Sequence, residues 1–217
     1  MQDNKLKEIN NEVNNKIKEL NYNEYSPKII AVSKTFGMEK IMPLIDFGHQ
    51  DFGENRVQEA FEKWSDVKTS KIKLHLIGKL QTNKVKTAVK LFDFIHSLDS
   101  EKLANKISEE QKKVKNDLKL FIQINLADEK QKSGIEPKTA KPFYDYCKNN
   151  LNLKIIGTMC LPPFGEDPEP YFKKLSEINT SLNLKELSMG MSDDYLLALK
   201  YRSTYLRIGS KIFGRRN

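Results

Sequence analysis

Apolar residues recur along the chain in two alternating rhythms. Leu6, Ile9, Val13, Ile17 and Leu20 fall at helical spacing between charged and amide residues, which predicts an amphipathic N-terminal helix over 1–21. Residues 29–32 form an unbroken, β-branched-rich run, too short for a core helix, and read as a strand buried on both faces. The pattern then predicts a helix over 39–46 with Gly48 beyond its end, a strand at 50–53 and a helix over 57–67. A strand at 74–78, a helical stretch over 83–90 and a strand-like run at 92–98 follow. Asp99-Ser100 then caps a helix carrying Leu103, Ile107 and Val114. The second half repeats the scheme. A strand at 118–126 ends in the polar run 128–133, Pro137 opens a helix reaching Cys147, and 155–159 is a strand. The Pro162-Pro163 loop leads to a helix over 171–182, then come a short strand at 187–189, a helix starting near Ser192 and a last strand at 205–208.

Strand and helix thus alternate about eight times with no Pro/Gly/Ser-rich linker between them. Parallel strands each need a crossover, and eight such βα units close into a barrel. The expected fold is α/β: a single (β/α)8 TIM barrel over 28–217, preceded by the helix of 1–21. A doubly wound sheet is the competitor, but it wants a glycine-rich dinucleotide turn after its first strand, and Ser33-Lys34-Thr35-Phe36-Gly37 is not one. The 217 residues suit one core, and 38% hydrophobic residues are enough to fill it. No run approaches a transmembrane span, the N-terminus lacks an apolar signal region, and Cys147 and Cys160 are isolated, so a reducing, cytoplasmic location is expected. The net charge of +8 arises from lysines interleaved with acids. Without zinc-finger spacing, an aromatic RNP-type strand or basic heptads, it implies general polyanion affinity and no specific nucleic-acid partner. His49 and His96 lack accompanying acids or thiols, so no metal is expected. A monomer is expected.

The first apolar run stops at Ser33-Lys34-Thr35. A lysine at the C-terminal end of a buried parallel strand sits on the rim where α/β barrels carry their chemistry, although one more solvated amine among 37 Lys and Arg residues is the plain alternative. In such barrels a phosphate site falls in the loops after strands seven and eight. Those loops read Met189-Gly190-Met191-Ser192-Asp193 and Gly209-Ser210-Lys211. Each combines a glycine that lets the backbone approach an anion with a hydroxyl and with N–H groups at a helix start. Ser192 can equally be a plain N-cap, and Asp193 and Asp194, which suit the helix dipole but repel phosphate, are expected to point away. A rim lysine beside a phosphate cup suggests pyridoxal 5′-phosphate (PLP), held as a Schiff base on Lys34 with its phosphate in the two loops. Arg207, two residues before Gly209, is the cation expected at the ring nitrogen, with a solvent-facing strand-end arginine as the alternative. An arginine there leaves the nitrogen unprotonated and the ring a poor electron sink.

Five segments, 31–35, 52–59, 75–84, 187–194 and 207–214, resemble in order the motifs of the YggS/PROSC family, the PLP homeostasis proteins. They read AVSKT, FGENRVQE, HLIGKLQTNK, LSMGMSDD and RIGSKIFG. The resemblance implies a fold-type III barrel related to the N-terminal domain of alanine racemase, with PLP on Lys34. It also implies phosphate contacts from Ser192, Gly209 and Ser210, Arg207 at the ring nitrogen, Asn55 near the ring and Met189 beside the phosphate loop. The implied role is vitamin B6 balance without turnover, with PLP and PLP-requiring apo-enzymes as partners and no membrane. Two departures stand out. Arg202-Ser203-Thr204 replaces the family's usual Gly-Ser-Thr, so a different turn backbone is expected, and Leu126-Ala127-Asp128-Glu129 matches loosely although Lys132 and Gly134 fit.

The alternative function is a PLP-dependent amino-acid racemase of the alanine racemase type. Those enzymes take a second acid/base from an appended β domain and a partner subunit, whereas only Arg215-Arg216-Asn217 follow the last motif here. A barrel residue would have to serve, and His75 is the candidate, although an inward strand histidine more often packs or hydrogen-bonds. Lys79 and Lys84 are candidate secondary PLP sites. Val57, Phe61 and Trp64 are expected to form a core face, and Glu54 to fix loop geometry or pair with a lysine.

Overall fold

Eight parallel strands pair in sequence order and close on themselves. They are β1 (Lys28–Val32), β2 (Asp51–Glu54), β3 (Lys73–Leu76), β4 (Phe94–Leu98), β5 (Lys119–Gln123), β6 (Ile155–Met159), β7 (Glu186–Ser188) and β8 (Tyr205–Ile208). The structure, a computed structural model, describes residues 2–127 and 133–214. Asp128, Glu129 and Lys132, named in the fifth-strand loop, lie outside the described residues. The helices are α1 (Gln2–Glu19), α2 (Met38–Asp46), α3 (Val57–Trp64), α4 (Val85–Leu91), α5 (Glu101–Gln111), α6 (Ala140–Asp145), α7 (Glu169–Ser181), α8 (Tyr195–Lys200) and α9 (Ser210–Phe213).

The two-residue period of each strand sorts side chains between two layers. Ala31, Phe52, Leu74, Ile95, Leu120, Leu206 and Ile208 point outward into the apolar seam beneath the helices. Ile30, Val32, Phe94, Phe121, Met159 and Tyr205 point inward and fill the barrel. Leu6, Ile9 and Val13 bury one stripe of α1 against α2, α8 and α9, as the helical spacing predicts. Ser100 caps α5, its hydroxyl accepting the Leu103 N–H at 3.4 Å.

Three local expectations are corrected. The helix predicted over 137–147 is a 3-10 turn (Pro137–Thr139), then α6, then a π-helical turn (Tyr146–Asn150). Phe61 is not part of the core face. The buried stripe of α3 is Val57, Ala60 and Trp64, and Phe61, one position round the helix from Ala60, is about half exposed. Arg202 sits at φ +57°, so the turn keeps the left-handed backbone that glycine favours while carrying a side chain. The Arg202 guanidinium lies 4.0 Å from the centre of the Tyr22 ring, a contact that offsets part of the strain.

The barrel interior also holds two histidines. His75 stacks on Phe94 with ring centres 4.2 Å apart, and His96 stacks on Phe121 at 4.2 Å. Burial pushes the His75 pKa down against the opposing pull of Asp51. His96 is held well below the ordinary histidine range by burial and then by the neighbouring His75 and Arg207.

Two outcomes follow from this packing. Gly157 pairs with Glu186 across the β6–β7 seam, and a Cβ on it would stand 1.9 Å from the Glu186 carbonyl oxygen. Gly157→Ala should therefore cost roughly 2–3 kcal/mol and lower Tm by roughly 5–10 °C in calorimetry. An unchanged Tm would contradict the register. The second concerns pH. The unfolded chain takes up protons at its histidines near pH 6.5, whereas the folded barrel resists protonating His75 and His96. Stability is thus complete above that pH and is lost as pH falls below it, by up to about 1.4 kcal/mol per pH unit for each ring. Urea midpoints taken from about pH 7.5 down to about pH 5.5 should fall, and a flat profile would contradict neutral rings.

Candidate functional site

A cavity of about 740 Å3 opens at the C-terminal mouth of the barrel. Its wall includes Lys34, Asn55, Ser192, Arg207, Gly209 and Ser210. Strand ends bring these residues together. β1 and β8 pair from Lys28–Tyr205 to Ala31–Ile208, so the segments that leave the two strands run side by side onto the rim.

Lys34 follows β1 by two residues, in a turn held from beneath. Glu54, the last residue of β2, is fully buried and faces α3. Its Oε1 accepts the Ser33 hydroxyl at 2.7 Å, the Lys63 ammonium at 2.9 Å and the Trp64 indole N–H at 3.0 Å. Lys63 also donates to the Ser33 carbonyl at 2.9 Å and bridges to Glu59 at 3.1 Å, while Glu59 accepts the Thr35 N–H. Thr35 takes φ +68°. A buried carboxylate needs such partners, and here they all belong to the turn bearing Lys34 or to the helix behind it. Glu54 is therefore a loop anchor paired with a lysine. Asn55, directly after it, faces the cavity.

Across the mouth, Ser192 gathers the backbone of the neighbouring loop. Its Oγ accepts the Gly209 N–H at 3.3 Å and the Lys211 N–H at 3.4 Å. The intervening Ser210 N–H has no acceptor among the described residues. Ser192 is not the N-cap of α8, which starts only at Tyr195. Gly190 makes the reversal before it at φ +88°, where a Cβ would meet the Ala198 Cβ at 2.7 Å. Asp194 turns back to accept the Met191 N–H, whereas Asp193 is an exposed residue of the cavity wall, where water screens its charge. α1 reaches this corner as well, with Glu12 accepting the Tyr195 hydroxyl and the Lys211 ammonium.

Arg207 is an inward residue of β8 and only 4% exposed. Its Nη1 donates to Ser188 Oγ at 2.6 Å and its Nη2 to the Cys160 carbonyl at 2.9 Å. The solvent-facing alternative is thereby excluded.

The structure does not bring Met189 to the cavity: its side chain is fully buried in the layer beneath the helices. Met191, two residues later, lines the wall instead. Lys79 also lines the wall, and Lys84, in the 3-10 turn Thr82–Lys84, does not. Gln123 and Asn125 from the end of β5, Ser133 further along the same connection, and Leu161 and Pro162 after β6 also line the wall. They carry no motif; only their position at or after a strand end marks them. Among the described residues no helix is long and apolar enough to cross a membrane, and no cluster of His, Cys, Asp or Glu could hold a metal.

Comparison with known proteins agrees with this architecture. Residues 10–217 match the family described as alanine racemase, N-terminal domain. The pyridoxal phosphate homeostasis protein of Aquifex aeolicus is 38% identical, over 89% of this chain and 89% of its own length. The human protein of the same name is 37% identical, over 88% of this chain and 77% of its own length. Among solved structures, PipY of Synechococcus elongatus, determined with PLP bound, superposes with a TM-score of 0.81 at 31% identity, covering 93% of this chain and all of its own. Alanine racemase of Clostridium difficile shares the fold, with a TM-score of 0.71 at 16% identity, covering 93% of this chain and 55% of its own. Sequence and fold together place the chain in the family of pyridoxal phosphate homeostasis proteins, built on the alanine racemase N-terminal domain.

Proposed function

We propose that this chain binds PLP on Lys34 at the mouth of the barrel and serves intracellular PLP homeostasis by holding and releasing the cofactor, without turning over a substrate. The observation that carries this reading is the meeting of a rim lysine, a buried arginine and two anion-accepting loops around a cavity of about 740 Å3, within reach of a small phosphorylated pyridine.

When bound, PLP supplies an aldehyde that condenses with a neutral primary amine, releasing water, and water reverses the bond. Lys34 offers that amine from a backbone pinned by Glu54 and Lys63. The Ser192 hydroxyl and the N–H groups at Gly209 and Ser210 would hold the phosphate. Arg207 keeps its protons at any ordinary pH and would hydrogen-bond a ring nitrogen without protonating it, which disfavours chemistry that draws electrons into the ring. Asn55 would border the ring. Recipients would be PLP-requiring apo-enzymes. Cys147 and Cys160 are free and buried, and burial pushes the Cys160 thiol up to about 12, which supports a reducing, cytoplasmic setting and an inert thiol.

The racemase alternative needs a second acid/base at the ring. His75 does not supply one: it is fully buried, its two nitrogens are engaged by His96 and Asp51, and it does not line the cavity. Besides Lys34 and Arg207, Lys79 and Asp193 are the titratable side chains of the wall among the described residues.

Titrating the protein with PLP should raise the visible band of a lysine adduct in wild type and not in Lys34→Ala. Incubating the loaded wild type with L-alanine should give no D-alanine beyond that made by free PLP. A full band in the variant would overturn the site, and racemization above that background would overturn the holding role.

A further inference from the structure

Inside the barrel a chain of hydrogen bonds runs from the cavity to the opposite mouth. Arg207 Nη1 donates to Ser188 Oγ at 2.6 Å, Ser188 Oγ lies 2.8 Å from His96 Nδ1, and His96 Nε2 lies 3.0 Å from His75 Nδ1. His75 Nε2 lies 2.9 Å from Asp51 Oδ1. Ser188, His96 and His75 are wholly buried, Arg207 nearly so, and the Asp51 side chain is 16% exposed at the start of β2 on the barrel floor. Barrel interiors are ordinarily filled by branched apolar side chains, so a continuous polar path through this one calls for a purpose.

The charges at its ends dictate where every proton lies. A carboxylate only accepts, so His75 Nε2 carries hydrogen and, in a neutral ring, His75 Nδ1 accepts. His96 must then donate from Nε2 and accept at Nδ1, which obliges the Ser188 hydroxyl to donate to it. The lone pairs of Ser188 are left for the guanidinium, which only donates. All four bonds are satisfied by one arrangement with both rings neutral. We propose that Ser188, His96 and His75 form a proton-ordered relay that ties Arg207 to Asp51 and thereby fixes the guanidinium at the cavity wall as positioning residues for the bound cofactor.

The surroundings favour that order. The charged groups acting on His75 are Asp51, Asp93 and Lys28, and the one acting on His96 is Arg207, with the His75 ring as its other titratable neighbour. Phe94, Phe121 and Tyr205 enclose both rings and leave no bulk water to stabilise an imidazolium. Each neutral donor polarises the next, so Ser188 presents a stronger acceptor to Arg207 than an isolated hydroxyl would. The Cys160 carbonyl holds the other Nη atom, and the two acceptors together set the plane of the guanidinium. The relay rests on the cofactor reading only for what Arg207 faces; its proton order belongs to the chain itself.

The test begins on the cofactor-free protein, which has only three histidines. Nitrogen-detected NMR from about pH 6 to about pH 8 should show His75 and His96 neutral, each with hydrogen on Nε2 and none on Nδ1. An imidazolium, or hydrogen on Nδ1 of either ring, would overturn the proposal without reference to PLP. Asp51→Asn, remote from the cavity, lets the floor group donate as well as accept, so both rings should show mixed tautomers. The same variant should bind PLP several-fold more weakly with a shifted adduct band. Ser188→Ala, which cuts the last link, should weaken PLP about tenfold while leaving the His75 tautomer as it was. Unaltered tautomers, affinity and band in Asp51→Asn would overturn the relay. A wild type that takes up no PLP would overturn the cofactor reading instead, with the tautomers still deciding the relay.

Discussion

The mouth of this barrel depends on the pairing of β8 with β1. That closure removes the two edges an open sheet would expose, and it sets the first and last strands side by side. Beyond the last registered pair, Ala31–Ile208, Val32 comes to lie against Gly209, where a Cβ would sit 3.4 Å from the Val32 Cβ. The turn bearing Lys34 and the loop bearing Ser210 therefore occupy one rim although they lie at opposite ends of the chain. The neighbouring β7–β8 seam is short, with Ser188–Tyr205 as its registered pair. Side chains reinforce it: Ser203 donates to the Met189 carbonyl at 2.6 Å, and Thr204 Oγ1 accepts the Leu187 N–H at 2.8 Å. The segment Arg202-Ser203-Thr204 thus stitches the seam on which the proposed phosphate loops stand.

The barrel was legible in the sequence because each strand is buried on both sides and so reads as a short apolar run between amphipathic helices. Lys34, Arg207 and the loops at Ser192 and Gly209 were legible because strand ends are where such a fold must expose its chemistry. Side-chain parity was harder. Ser188 points inward, so Met189 points outward into the helix layer, and only after the reversal at Gly190 does Met191 return to the mouth. A single residue of phase separates the expected methionine from the observed one. The same holds on α3, where Ala60 rather than Phe61 faces the core. Gln123, Asn125 and Leu161 were illegible for another reason, since their place in the wall depends on strand register and not on local pattern.

The interior adds a second constraint to closure. A buried guanidinium is tolerable only with acceptors to hand, which Ser188 and the Cys160 carbonyl supply, and Ser188 is backed in turn by two strand histidines that look unremarkable one at a time. Their inward parity on the adjacent strands β3 and β4 is the signal that could have paired them in advance. Helix α1, Glu54 and the relay thus support the cavity from three directions, from outside, from beneath the lysine turn and from within the barrel. A rigid support of this kind suits a site that holds its ligand by position.

The account is tested most directly by a crystal structure of this chain grown with PLP. It predicts density continuous from Lys34 Nζ to the cofactor, the phosphate against Ser192 and the Gly209–Ser210 backbone, and Arg207 at the ring nitrogen. Cofactor bound through another lysine, or a cavity left without it while PLP occupies a different face, would contradict the account.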